Sequence, residues 1–323
     1  MNGLSGLLLK LWRSYSTGLA VLVVGFVLSL LTPNFLRPEN LLNVLGNASI
    51  VGIVGLGMTL AIAAGMFDLS VGSTAAFAAC ITLSMVPQYG VLLSVLAGVA
   101  VGALIGLING LIITELRVPA FIATMSMMAI ARGSALIYTD GRDVYLFGYP
   151  DYKVLTRPLW GILPMPVVLV LAILLVLALV MAHTRFGRYI LAVGSNLSAA
   201  RRSGLRSSLV TWGVFAVVGA TAALTGLIVS AQVLTANARL NVGLELSAIA
   251  VVVVGGTSLT GGRASLVGTL LGSLLVTIIN NGLNLLNVPI FYQQLTVGVL
   301  LLGALAISVG PDFNPMTYLR RQG

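Results

Sequence analysis

The chain has 323 residues, of which 58% are hydrophobic and only 8% are charged, and its formal net charge is +9. A water-soluble domain carries about a quarter charged residues, so a composition this apolar excludes one and indicates a chain that folds in a bilayer. The basic residues lie between long apolar runs and form no stripe interleaved with aromatic residues, which excludes nucleic-acid binding and indicates contact with membrane lipid headgroups.

Long apolar runs dominate the chain from residue 14 onward, and a helix needs about 20 such residues to cross the hydrocarbon core. The runs are uniformly apolar and do not alternate, which predicts helices and excludes barrel strands. The predicted fold class is an all-α polytopic membrane protein with about 10 transmembrane helices in a single domain over 1–323. The predicted spans are 15–33, 46–66, 69–87, 90–113, 118–138, 163–183, 208–230, 246–262, 266–286 and 292–310.

The distribution of lysine and arginine predicts that both the N- and C-termini are cytoplasmic. With the N-terminus inside, eleven basic residues fall in inside segments and five in outside segments, as the positive-inside rule requires. An odd number of spans would place Arg320 and Arg321 outside. The longest outside loop, about 139–162, is too short for a receptor domain; it is either a docking surface or a solvated loop.

Several chemistries are missing from the sequence. No Gly-Lys pair occurs, so the phosphate-binding loop of ATPases is absent. Cys80 and His183 are the only residues of their kinds, and we expect no metal and no cofactor. Eight acidic residues and one histidine supply no catalytic pair, so no enzyme is predicted.

The predicted cytoplasmic loop at 184–208 holds the most informative pattern. Asn196 is suited to the N-cap of a helix, residues 197–203 favour helix, and Gly204 suits the position after its end. We therefore expect a two-turn helix on the membrane surface. Its neighbouring Ala199 and Ala200 have small side chains, which allow another surface to approach closely.

This loop resembles the coupling loop of the ribose-type permeases of ATP-binding-cassette importers, in the branched-chain amino acid/ribose permease superfamily. Their pattern runs T-x-x-G-R and then G-x-N-x-x-A-A-x-x-S-G-[IL]. Ser198 departs from it, because many members have an acidic residue there. The matching residues are Thr184, Gly187, Arg188, Gly194, Asn196, Ala199, Ala200, Ser203, Gly204 and Leu205. Segments elsewhere resemble the family in the same order: 32–35, 40–43, 57–60, 68–73, 119–124, 132–133, 255–262 and 280–286.

The resemblance implies a permease subunit in the bacterial inner (plasma) membrane that carries a monosaccharide, such as a ribose-like pentose. It implies three protein partners: a cytoplasmic ATP-binding subunit, a periplasmic or extracellular sugar-binding protein, and a second permease chain in a homo- or heterodimer. ATPase coupling then falls on Gly187, Arg188, Asn196, Ala199, Ala200 and Gly204.

Polar residues inside the apolar runs are candidates for the translocation path. Asp68 and Ser70 either cap the third span, with the Asp68 carboxylate accepting from the Ser70 and Val71 amides, or form a broken-helix element near the substrate. Asn280, Asn281 and Asn284 have neutral amides, which suit sugar hydroxyls because they both donate and accept. Interhelical hydrogen bonding is the alternative for these three.

Two further features predict packing. Arg132 lies about 21 Å into the fifth span and needs a partner in the protein interior. Gly98, Gly102, Gly106 and Gly110 form a ladder on one helix face, which favours close packing against another helix of the same chain.

One rival function is a proton-coupled secondary transporter of small polar solutes that uses Asp68 or Glu245. It predicts uptake by this chain alone. The capped, arginine-rich loop argues against it, since such a carrier needs no cytoplasmic partner.

Overall fold

The computed structural model describes residues 4–289 and 291–309, and this part of the chain is mostly helical. Strands β1 (Val144–Tyr145) and β2 (Thr235–Ala236) pair antiparallel, and Pro150–Leu155 forms a 3₁₀ helix. The α-helices are α1 (Leu4–Leu31), α2 (Pro38–Ala63), α3 (Val71–Glu115), α4 (Ala120–Tyr138), α5 (Met165–His183), α6 (Arg185–Ser195), α7 (Leu197–Arg202), α8 (Ser207–Val233), α9 (Leu244–Val254), α10 (Leu266–Leu285) and α11 (Phe291–Val309).

Six helices in the described part of the chain, α2, α3, α4, α5, α8 and α10, are long and apolar enough to cross a membrane. Thr17–Leu31 within α1 and the whole of α9 are shorter apolar helices. The predicted all-α membrane fold is therefore confirmed. Arg320 and Arg321, on which the predicted side of the C-terminus depends, lie outside the described residues. We call the end of the bundle that carries α6 and α7 the α7 end, and the end that carries β1 and β2 the β end.

Helix α3 covers two predicted spans. It runs for 45 residues, and Gly90, with φ 73° and ψ 170°, interrupts it. This backbone conformation lies outside the helical region and is open to glycine because it has no Cβ. The kink falls where the predicted spans 69–87 and 90–113 meet, so that boundary is confirmed.

The glycine ladder of α3 forms a seam with α8. A Cβ at Gly102 or Gly106 would overlap the backbone of α8 at Gly219 or Phe215, and one at Gly110 would lie 2.8 Å from the Trp212 Cα. Only glycine lets the two backbones approach this closely. The predicted packing within the chain is confirmed.

Helix α2 is the centre of the bundle. Its residues from Gly52 to Ala63 are all buried, and α2 packs against α5, α8, α9 and α10. Thr59 and Thr269 share a hydrogen bond of 2.7 Å between their hydroxyl oxygens, which joins α2 to α10. A helix surrounded on all sides in this way moves only when its neighbours move.

Two helices begin inside the bundle. Ala75 of α3 packs against Gly226 of α8, so Val71 lies about 22 Å along an α8 that is about 40 Å long. Helix α9 has 11 residues and a length of about 16 Å, too short to cross the core alone. The predicted span 246–262 is therefore wrong: the helix ends at Val254, because Gly255 caps it and Gly256, with φ 85°, turns the chain.

The loop 139–162 is attached to the bundle at the β end. The Tyr152 side chain is fully buried, and its hydroxyl bonds Ser230 Oγ at 2.9 Å and donates to the Leu227 carbonyl at 3.2 Å. Burial raises the pKa of this phenol, so it stays protonated as a donor. The loop is thus held in a defined position against α8.

Candidate functional site

Two short helices at the α7 end have well-defined N-caps. The Thr184 hydroxyl accepts from the Gly187 amide at 3.2 Å at the start of α6, and the Asn196 side chain accepts from the Ala199 amide at 2.9 Å at the start of α7. Gly204, with φ 79°, follows the end of α7. The predicted capped two-turn helix is confirmed. The amphipathic α6 before it was not predicted.

The two alanines of α7 have different environments. Ala199 is exposed, whereas Ala200 is buried against its own chain. The Arg201 guanidinium donates to Ser207 Oγ at 3.1 Å and ties α7 to the start of α8, while Arg188 of α6 is exposed. Both alanines were expected to allow the approach of another surface. Ala200 instead packs inward against its own chain, and only Ala199 of the two is exposed.

A glycine junction connects this helical pair to the bundle. A Cβ at Gly194 of α6 would overlap the Ala63 carbonyl at the end of α2, and the Gly262 amide donates to that carbonyl at 2.8 Å. Gly261, with φ 80°, also packs on the Gly194 backbone. The backbones of α6, α2 and the turn after α9 therefore meet at one point.

Asp68 and Ser70 lie in the seven non-helical residues between α2 and α3. The Asp68 carboxylate accepts from the Ser70 amide at 2.8 Å and from the Ser70 hydroxyl at 2.6 Å, and Asn109 Nδ2 donates to the same hydroxyl oxygen at 3.0 Å. The bond to the Ser70 amide was predicted; the expected second bond to the Val71 amide is replaced by the bond to the hydroxyl. All three side chains are buried.

The start of α9 faces the start of α3. A Cβ at Gly72 would lie 2.6 Å from both the Asn241 carbonyl oxygen and Glu245 Oε2, so these atoms contact the first turn of α3 directly. Gly243, with φ 86°, precedes α9 and provides no side-chain cap. We call the residues around these two helix starts, 68–74, Asn109 and 241–245, the mid-depth site.

Arg132 borders the mid-depth site from α4. Its guanidinium donates to the Ala238 carbonyl and, at 3.2 Å, to the Leu240 carbonyl, and it is close enough to Glu245 to interact with its charge. The prediction that Arg132 has a structural partner is confirmed. These bonds fix the segment that leads from β2 down to α9.

Most of the unpartnered polar atoms belong to the mid-depth site. A buried polar atom without a hydrogen bond is costly, and native proteins contain few of them. Among the described residues six buried side-chain atoms have no such partner, and five of them belong to this site. They are Ser73 Oγ, Thr74 Oγ1, Asn109 Oδ1, Asn241 Nδ2 and Glu245 Oε2, with Asn280 Oδ1 as the sixth.

The predicted asparagine group lies elsewhere. Asn281 and Asn40 exchange two amide bonds of 2.8 and 3.1 Å between α10 and α2, and Asn284 accepts from Gln293 at 2.6 Å. These bonds match the interhelical alternative. The structure does not bring this group together with Asp68 and Ser70, and a role in the path stays a prediction for Asn280, Asn281 and Asn284.

Sequence reasoning missed part of the mid-depth site. From the sequence, Glu245 was considered only as a proton carrier, and neither Asn109 nor Asn241 was predicted to lie near Asp68. An available signal was that Asn109 is a polar residue inside a long apolar run, which is uncommon unless it is bonded or functional. No signal in the sequence placed residues 237–243 at mid-depth.

An apolar helical bundle with two helices that begin at mid-depth, and a capped surface helix at one end, is the architecture of a membrane transport permease. The sequence comparisons agree. The chain belongs to the family described as branched-chain amino acid transport system / permease component, whose model matches residues 40–305. It is a multi-pass protein of the bacterial inner membrane.

Curated relatives match along nearly the whole chain. The ribose import permease of Escherichia coli K12 is 40% identical over 92% of this chain and 94% of its own length. The ribose import permease of Bacillus subtilis 168 is 38% identical, with 90% of each chain covered. An L-arabinose ABC transporter permease of Azospirillum brasilense is 32% identical over 87% of this chain and 83% of its own. No solved structure matches.

Proposed function

We propose that this chain is the translocation subunit of an ATP-binding-cassette importer for a ribose-like monosaccharide. It works with a separate cytoplasmic ATPase, an external sugar-binding protein and a second permease chain. Relatives named for ribose and for L-arabinose support the sugar class, and the greater identity to the ribose permeases supports ribose over arabinose.

The observation that carries the proposal is the geometry of α7. This helix is capped at both ends and anchored by Ala200, and it presents Ala199 to solvent. A short, rigid helix of this kind fits a cleft in a partner. Within the proposal, Gly187 lets the first turn of α6 lie against the end of α5, Gly204 allows the turn after α7, and Arg188 contacts the ATPase.

The glycine junction supplies a route from α7 to the substrate path. When the ATPase pulls α7, α6 moves with it, and Gly194 bears directly on the end of α2 and on the turn after α9. Helix α9 begins at the mid-depth site, so a shift of its far end changes that site. The ATPase drives the change because it binds the two states with different free energies.

The proposed topology has ten crossings in one permease domain, with α7 and the loop 184–208 in the cytoplasm. The eighth crossing consists of the non-helical segment 237–243 followed by the short helix α9. Five exposed arginines at the α7 end support this orientation: Arg185, Arg188, Arg201, Arg202 and Arg206. The loop 139–162, held by Tyr152, then faces outward as a surface for the sugar-binding protein.

Reconstitution tests the function. Proteoliposomes that contain the permease, the ATPase and the sugar-binding protein should accumulate labelled ribose only with ATP. Ala199→Trp should abolish ribose uptake, because the large side chain blocks the partner's approach. Leu197→Trp, at an exposed position on the same helix that is already large and apolar, is the matched control and should retain most of it. Uptake by the permease alone, without ATPase, would instead support the proton-coupled carrier.

Cysteine labelling tests the topology. The native Cys80 is buried, so background labelling is low. Ala199→Cys should react with an impermeant maleimide only from the cytoplasmic face, and the ATPase should protect it. Asp151→Cys, in the exposed part of the opposite loop, should react only from outside. Reaction of Ala199→Cys from outside would refute the proposal.

A further inference from the structure

We infer that the mid-depth site is a hydroxyl-binding site on the translocation path, and that Ser73, Asn109, Asn241 and Glu245 contact the passing sugar. This inference rests on the proposed function and adds the residues that recognise the substrate. It starts from the five unpartnered polar atoms, which are costly to bury unless a ligand or solvent satisfies them.

The chemistry of the unpartnered atoms matches a polyol. Asn109 Oδ1 and Glu245 Oε2 are acceptors, Asn241 Nδ2 is a donor, and the hydroxyls of Ser73 and Thr74 serve in either role. A sugar hydroxyl donates one hydrogen bond and accepts others. A site that has both donors and acceptors suits it better than it suits a ligand that only donates or only accepts.

The electrostatics favour a neutral ligand over an ion. By formal charge, Asp68 and Glu245 count as two negative charges and Arg132 counts as one positive charge. The N-termini of α3 and α9 both begin here, and each is equivalent to about half a positive charge. The region is therefore close to neutral, so neither a cation nor an anion gains enough attraction to offset its dehydration.

One side of the site is open at the surface of this single chain. Val242 is 68% exposed and Leu246 is 51% exposed, and a Cβ at Gly243 would have no atom within 4 Å. Asn241 and Glu245 are half-buried beside this opening, whereas Asp68, Ser70 and Asn109 are buried behind them. A sugar entering here meets Asn241 and Glu245 first, and its apolar face can rest on Val242 and Leu246.

We also expect the site to bind the sugar weakly. Ser70 donates two hydrogen bonds to Oδ1 of Asp68, so one of the two oxygens of this carboxylate is already occupied. A path residue must release the sugar as readily as it binds it. The remaining single contacts from Asn109, Asn241 and Glu245 meet this requirement, because one hydrogen bond changes a binding constant by only about fivefold.

A panel of deoxypentoses tests the inference in the complete reconstituted transporter. Ribose and its 2-deoxy, 3-deoxy and 5-deoxy analogues are supplied at concentrations that saturate the sugar-binding protein, and sugar imported per ATP hydrolysed is measured. The wild type should import at least one analogue about fivefold less efficiently, because a site atom then loses its partner. Glu245→Gln and Ser73→Ala should each reduce that discrimination toward unity.

The outcomes separate the two proposals. Wild-type proteoliposomes without ATP-dependent uptake would defeat the proposed function itself. Normal uptake with unchanged discrimination in both variants would overturn the hydroxyl-binding site alone. Ser94→Ala, at a buried serine of the same helix α3 that bonds the Gly90 carbonyl away from the site, is the matched control and should leave the discrimination unchanged. If Glu245→Gln does not fold, the discrimination measured in Ser73→Ala alone tests the inference, because this substitution removes one unpartnered oxygen and little volume.

Discussion

Two groups of asparagines in this bundle differ in how their hydrogen bonds are satisfied. Near the β end, Asn40 and Asn281 bond each other twice across α2 and α10. At the mid-depth site, Asn109 and Asn241 each keep one amide atom buried without a partner among the described residues. The first arrangement stabilises two helices. The second leaves hydrogen-bonding capacity free, which only a ligand or solvent can use.

The difference shows that residue type alone does not mark a transport site. Both groups are neutral amides in apolar surroundings, and both are compatible with sugar hydroxyls. What separates them is whether the protein has already supplied the complementary group. The predictions below test this contrast, from the largest expected effect to the smallest.

The seam between α3 and α8 carries Asn109, so disrupting it should destroy the mid-depth site altogether. Gly106→Val would place side-chain atoms on the Phe215 carbonyl. We expect loss of the folded, monodisperse protein in detergent, measured by size-exclusion chromatography. Gly133→Ala, on α4 with no atom within 4 Å of its Cβ, is the matched control and should fold normally.

Asn109→Leu should reduce transport with little change in the stability of the fold. The substitution removes an unpartnered buried oxygen, but it also removes the hydrogen bond that Asn109 Nδ2 donates to the Ser70 hydroxyl, which keeps its own bond to Asp68. The two changes oppose each other, so we expect the free energy of unfolding to change by less than about 1 kcal/mol. ATP-dependent ribose uptake should fall by about tenfold, corresponding to the loss of one to two hydrogen bonds.

Thermal unfolding in detergent and uptake in proteoliposomes measure the two effects. A parallel fall of both quantities would assign Asn109 a purely structural role. Asn109→Asp, which keeps an acceptor oxygen at the same position, should retain more uptake than the leucine variant.

A third asparagine is satisfied within its own helix and sharpens the contrast. Asn196→Ala removes the cap of α7, which should cost about 1 kcal/mol of local helix stability and reduce coupled uptake about fivefold. Asn196→Asp retains a capping oxygen and should behave like the wild type. ATP hydrolysis and sugar uptake are measured together. An unchanged ratio of sugar to ATP in Asn196→Ala would show that the cap has no part in coupling.

The bonded pair should give the smallest effect. Asn281→Leu leaves Asn40 Oδ1 without its donor, while Asn40 Nδ2 keeps its bond to the Phe35 carbonyl. The substitution should lower the free energy of unfolding by about 0.6 kcal/mol, the average for such bonds in a membrane protein. Uptake per folded protein should not change. The double variant Asn40→Leu with Asn281→Leu should recover part of the loss, measured as the melting temperature in detergent. A large fall in uptake without a change in melting temperature would instead support the predicted role of Asn281 in the translocation path.

The sequence by itself determined the features that depend on short stretches of chain. Hydrophobic runs identified the helices, because each residue's transfer into lipid depends little on its distant neighbours. The cap at Asn196 joins residues three apart, and the glycine ladder of α3 repeats every four residues on one helix face. Such patterns are visible without knowing the path of the chain.

Only the tertiary structure decided where the polar groups meet. The mid-depth site joins residues near 70, 109 and 241–245, and Arg132 reaches it from α4. The segment 237–243 returns into the bundle, where Arg132 donates hydrogen bonds to two of its carbonyl groups. The short helix α9 follows this segment and ends at Gly255. Whether an amide finds a partner depends on which helix lies beside it, and contacts between residues more than a hundred positions apart leave no local pattern in the sequence.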